Sequence, residues 1–276
     1  MNKCFVLLLL LAALATKAFG QQDAMFTKYM FNSLNFNPGY AGSTDYLSVV
    51  ALHRDHWYGI DGGPVTQSIS AHLPVGDKIG LGFALNNDVI GATASSTANL
   101  SYAYKVPFGE GILSLGLQAG LRNFRTDWSR LEFKDPRLGD EAFDNELVNS
   151  WMPNFGAGAY YYTDKFYLGF SIPHLIDYDL RSSDTNNPDL NNRIAKYYRH
   201  YFFHAGVAIP IKGNAIVFKP SMLFKSVNLF GEFSAQKNLR NSVATPNEID
   251  VDMSFYFYEL FWVGARQRLV RAHDGL

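Results

Sequence analysis

His53, Asp55, His56 and Asp61 crowd nine positions and carry imidazole and carboxylate groups, the donors that hold a divalent metal. The spacing argues against a metal. On a strand, His53 and Asp55 share one face while Arg54 and His56 share the other, so each face offers only a pair. Hydrogen bonding and ion pairing in a barrel lumen is the preferred reading. Arg54 is costly against lipid and is expected to face inward, toward a carboxylate. Trp57 and Tyr58 then fall at a membrane–water interface, where amphipathic rings settle. Serine, histidine and aspartate all occur, but no Gly-x-Ser-x-Gly elbow does. Gly80-Leu81-Gly82 lies within strand-like alternation rather than before a helix, so it is no phosphate cradle. Asp135, Asp140, Glu141, Asp144 and Glu146 could offer oxygen ligands to calcium, but at the spacing of a solvated loop. The single cysteine is Cys4. No catalytic residue, cofactor or metal site is assigned, and the chain does not read as an enzyme.

The elements that would position these residues are strands. Ile79, Leu81, Phe83 and Leu85 alternate with small residues. Leu113, Leu115, Leu117, Ala119 and Leu121 alternate with Ser114, Gly116, Gln118 and Gly120. Ile249, Val251, Met253, Phe255 and Phe257 alternate with Asp250, Asp252, Ser254 and Tyr256. A strand with one large apolar face and one small or polar face suits a membrane barrel, but also a soluble sandwich. Composition narrows the choice. Aromatics make up 15% of the 276 residues and charged residues only 18%, an unusual pairing for a soluble domain. The 24 basic and 25 acidic residues nearly cancel, so nucleic acid is not an expected partner.

The first twenty residues read as an export signal. Lys3 gives the positive start, Phe5–Ala15 the apolar run, and Ala18-Phe19-Gly20 the small-residue cleavage site. Beyond it no stretch is apolar enough for a spanning helix. Residues 21–44 form an N-terminal periplasmic or lumenal segment, and residues 45–276 the barrel. Phe26, Tyr29, Met30 and Phe31 precede the first strand. They are expected to plug the lumen, rest on the periplasmic rim or bind a partner.

Strands are predicted at about 46–57, 64–73, 78–87, 96–106, 112–122, 154–162, 165–172, 200–210, 214–226, 248–257 and 260–268. Their connections alternate. Short ones are Pro74–Asp77, Pro107–Gly111, Thr163-Asp164, Ile211–Gly213 and Tyr258-Glu259. Between them fall Tyr58–Gly63, Asp88–Ser95, Asn123–Pro153, Pro173–Arg199 and Val227–Asn247. Short turns on one rim and long loops on the other is the membrane-barrel pattern, whereas sandwich connections mix lengths. The fold class is therefore all-β, an antiparallel transmembrane β-barrel with about eleven strands in this chain. Single-chain bacterial barrels use even numbers, which suggests a C-terminal cut from a roughly 14-stranded barrel.

Three segments carry a family likeness. One is Gln22-Asp23-Ala24-Met25-Phe26-Thr27-Lys28-Tyr29-Met30-Phe31-Asn32, followed by Asn37-Pro38-Gly39-Tyr40-Ala41-Gly42. Another is His53-Arg54-Asp55-His56-Trp57-Tyr58-Gly59-Ile60-Asp61-Gly62-Gly63-Pro64 with Thr66-Gln67-Ser68. The last is Pro153-Asn154-Phe155-Gly156-Ala157-Gly158-Ala159-Tyr160-Tyr161-Tyr162, then Ser171-Ile172-Pro173-His174. Together they resemble the PorP/SprF family over residues 22 to about 265. Ala24 and Lys28 stand where the family usually has Pro and Gln, and Gly39 where it has Ala. Family members continue past Phe261–Ala265 with further strands.

The resemblance implies a component of the type IX secretion system in the cell outer membrane. Its implied role is export of large surface proteins and their attachment. The implied partners are other secretion-system components, C-terminal domains of secreted surface proteins and outer-membrane lipid. Candidate partner-binding or lumen residues are Phe26, Tyr29, Met30, Asn32, Asn37, Pro38, Arg54, Asp55 and Trp57. The alternative is an outer-membrane channel or small-hydrophobe transporter. It is disfavoured because the inferred inward faces are mostly Gly, Ser, Ala and Asn rather than charged rings.

Overall fold

A computed structural model describes residues 32–127, 147–179, 196–197, 199–211, 215–227, 247–258 and 260–271. The export signal, Phe26, Tyr29, Met30, Phe31 and the acidic stretch 135–146 lie outside the described residues.

The strands are β1 (Ser48–Asp55), β2 (Val65–Val75), β3 (Ile79–Ile90), β4 (Thr93–Phe108), β5 (Gly111–Asp127), β6 (Leu147–Tyr162) and β7 (Phe166–Ile172). There follow β8 (Tyr178–Asp179), β9 (Lys196–Tyr197), β10 (His200–Val207), β11 (Ile209–Pro210), β12 (Ile216–Val227), β13 (Asn247–Phe257) and β14 (Phe261–Arg271). One antiparallel sheet runs β1-β2-β3-β4-β5-β6-β7-β10-β12-β13-β14, with β11 also on β12. β8 and β9 make a separate two-stranded pair. The main path thus contains the eleven strands that alternation predicts. No helix among the described residues is long and apolar enough to cross a membrane.

Alternation fixes which face is which, because a one-residue slip would turn every side chain over. On β5, Leu115, Leu117 and Leu121 are exposed while Ser114 and Gln118 are buried. The register aligns these faces across strands. His53, Gln67, Asn87, Ser96 and Asn123 form one outward polar row across β1–β5. Neighbours in this row are bonded: Gln67 Nε2 lies 3.4 Å from His53 Nδ1, and Ser96 Oγ donates to Asn87 Oδ1 at 2.7 Å. Asn123 Nδ2 donates diagonally to Asn149 Oδ1 on β6 at 2.6 Å. The next outward row is Ala51, Ile69, Leu85, Ala98 and Leu121. Beyond it, Phe83, Leu100, Leu81, Tyr102, Leu117, Tyr104 and Leu115 are all exposed. At the opposite rim Phe108, Tyr161 and Phe166 pack ring against ring. Large apolar side chains facing outward between a polar row and an aromatic cluster make a lipid-facing belt.

Connections keep the expected sorting. β1–β2, β5–β6, β7–β10 and β12–β13 leave long gaps on the rim of the polar row, and β2–β3, β4–β5 and β6–β7 turn tightly on the other. The exception is β3–β4. There the ladder extends to Ile90↔Thr93, leaving only Gly91-Ala92 as a turn. Residues 88–90 and 93–95 read as loop from polarity alone, yet they continue the pairing past the apolar belt.

β1 and β14 end the path and are not paired with each other among the described residues. Even so, Arg54 on β1 lies within electrostatic reach of Arg266 and Arg268 on β14. The sheet therefore curls until its edge strands approach, the curvature of a barrel wall.

Candidate functional site: a plugged lumen

From β2 to β7 the inward face of the curled sheet is made largely of small residues, with His72 among them. Ser70 and His72 on β2, Gly80 and Gly82 on β3, Ala103 on β4, Ser114 and Gly116 on β5, Gly158 on β6 and Gly169 and Ser171 on β7 all point inside. Glycine inside a strand marks a close backbone approach. A Cβ at Gly80 would strike the Ala41 carbonyl, and one at Gly116 would strike the Gly39 backbone. What approaches is the chain's own N-terminal segment.

That segment makes two 3₁₀ turns, Ser33–Asn35 and Pro38–Tyr40. Pro38 sits at the first position of its turn, where a missing N–H costs nothing. Asn37 caps the turn by accepting from the Gly39 N–H through Oδ1 at 2.9 Å. The segment is tied to the wall around the lumen. Ser70 Oγ donates to Asn32 Oδ1 at 2.8 Å, and Ser171 Oγ donates to the Phe36 carbonyl at 2.6 Å. Lys105 Nζ donates to the Gly42 carbonyl at 3.2 Å. Asn37 Nδ2 donates to the Ala159 carbonyl at 3.1 Å and meets His204 Nε2 at 3.0 Å. The Gly42 N–H donates to His72 Nδ1 at 3.2 Å.

Two apolar anchors complete the packing. Phe36 is fully buried against Phe202 and Leu223, and Leu34 against Ala41 and Ala103. Full burial of such side chains stabilises by about 1.5–3 kcal/mol each. Tyr40 packs edge-on against His72 and Tyr160, and burial pushes its phenol above the ordinary range.

A second inward feature departs from the expected small-residue lining. Glu248, Asp250 and Asp252 point inside from β13 and are buried. Arg266 on β14 pairs with Asp250, while Arg268 pairs with Glu248 and with Asp250, the latter at 2.8 Å. The interior is therefore filled by the plug on the β2–β7 side, where Lys105 holds the Gly42 carbonyl, and lined by paired acids and arginines on the β13–β14 side.

The structure separates the sequence candidates. Asn32, Asn37 and Pro38 lie in the plug and are buried. Arg54 is on the inner side of β1, near Arg266, Arg268 and Asp88. Asp55 turns to the outer face and pairs with His53 at 3.1 Å. Trp57 sits in the β1–β2 connection, 66% exposed. Phe26, Tyr29 and Met30 lie outside the described residues. Sequence reasoning missed His72, Lys105, Tyr160 and His204, which receive the plug. It also missed the β13–β14 ion pairs. The available signals were inward glycines, which mark a close backbone approach, and acids on β13 alternating opposite the arginines of β14.

Comparison with curated proteins and with solved structures yields no match. Comparison with protein families matches residues 18–275 to the family described as type IX secretion system membrane protein PorP/SprF. The match spans every described strand and the plug together, and the chain belongs to the PorP/SprF family of type IX secretion system membrane proteins.

Proposed function

We propose that the protein sits in the outer membrane and supports export and surface attachment of large secreted proteins by protein–protein contact. It has no catalytic step of its own. The observation that carries this reading is the filled lumen: residues 32–42 occupy the interior and bond to its wall. A diffusion channel needs an open water path lined by groups that select ions, so the plug favours a docking component over a channel. The partners on this reading are other secretion-system components, C-terminal domains of secreted surface proteins and outer-membrane lipid. The long connections on the polar-row rim face outside the cell, where a cargo domain is met. Deleting the gene should leave such cargo unexported or shed into the medium. An epitope-tagged copy should restore its surface attachment and co-purify from outer membranes with secretion-system components. Normal cargo display in the deletion strain would overturn the proposal.

A further inference from the structure

We propose that two histidines of the barrel wall, His72 and His204, latch the plug as neutral acceptors, and that acid releases it. The donors fix the direction of both hydrogen bonds. Asn37 has its oxygen committed to the Gly39 N–H, so the group it turns to His204 is its NH₂, 3.0 Å from Nε2. An amide NH₂ only donates. Nε2 must therefore carry a lone pair. Turning the Asn37 amide over would break its bonds to Gly39 and to the Ala159 carbonyl together. At His72 the partner is the Gly42 N–H, 3.2 Å from Nδ1, and a backbone N–H also only donates. An imidazolium has no lone pair on either nitrogen, so a proton on either histidine cancels its latch.

The surroundings oppose a charge at both places. The His204 ring is fully buried. It stacks on Tyr160 of β6 at 5.5 Å and lies beside Tyr167 of β7 and edge-on to Phe36 of the plug. Gly169 of β7 leaves room for the ring, since a Cβ there would strike Nε2. Its Nδ1 is buried with no hydrogen-bond partner among the described residues. The groups facing His204 are thus two phenols, a phenyl ring and an amide. His72 is 4% exposed and faces Tyr40 and Gly42 of the plug. The Lys105 ammonium of β4 already holds the Gly42 carbonyl, and a second cation beside the same residue is repelled. The seated state binds no proton at these nitrogens, whereas the released state exposes two ordinary imidazoles. Below the usual imidazole pKa of about 6.5, release is favoured by at most about tenfold per pH unit for each histidine.

The test follows the seating of the plug. Asn35→Cys places a thiol in the buried plug, in full-length protein carrying Cys4→Ser. Its labelling rate is divided by that of Asp77→Cys on an exposed turn, which removes the reagent's own pH dependence. Normalised labelling of Asn35→Cys should rise at least about tenfold between about pH 7.5 and about pH 5. In a His72→Asn, His204→Gln protein, amide oxygens can accept the same bonds without titrating, and labelling should stay slow at both values. No acid response in the otherwise native wall, or an undiminished response in the double variant, would overturn the proposal. Should the double variant fail to assemble, His204→Gln alone should lower the pH slope, and an unchanged slope would be equally fatal.

Discussion

At the scale of single residues, the plug depends on what the wall omits. Gly80 and Gly116 face Ala41 and Gly39 with no space for a methyl group. Gly116→Val should displace the Pro38–Tyr40 turn, costing about 1–3 kcal/mol or more, and should speed labelling of Asn35→Cys at neutral pH. Slow labelling unchanged from the parent would place the plug elsewhere. Asn37→Ala removes the cap on Gly39 and the contacts to Ala159 and His204, and leaves buried partners unmet at about 1–3 kcal/mol. The acids of β13 work differently. Asp250 is buried and shared by Arg266 and Arg268. Asp250→Leu removes the carboxylate that both arginines share, leaves Arg268 with Glu248, and should lower denaturant resistance by up to about 3–5 kcal/mol. A loss under about 1 kcal/mol would mean that water reaches those arginines.

At the scale of elements, alternation was legible because each strand presents large residues to one side and small ones to the other. Leu113–Leu121 and Ile79–Leu85 declare both their strand and their face. Strand ends were less legible. Thr93, Ser95 and Asn123 look like loop residues, but β4 and β5 stay paired through them beyond the apolar belt. Polarity marks where lipid ends, not where hydrogen bonding ends. The plug was least legible, since Asn32–Gly42 has no period to read and its partners come from strands far along the chain. Belt and polar row make a paired prediction. Leu117→Arg, in mid-belt, should lower folding stability in bilayers by about 2–4 kcal/mol, while Asn123→Arg, in the polar row, should cost about 0–1 kcal/mol. Equal costs would mean that the row does not mark a membrane boundary.

At the scale of the whole molecule, the sheet curls around its own N-terminal segment, and long connections gather on one rim. On the proposed orientation, a protease site inserted beside Asp61 should be cut on intact cells, whereas one at Gly76 should be cut only after the outer membrane is opened. The reverse pattern would invert the orientation without changing the fold. The central claim is that residues of this chain fill the lumen, so that the protein serves as a docking component rather than a channel. Single-channel recording in planar bilayers at neutral pH addresses it most directly. The full chain should be silent, and a variant lacking residues 32–42 but keeping all the strands should conduct. Steady conductance from the full chain, unaltered by removing residues 32–42, would contradict the account.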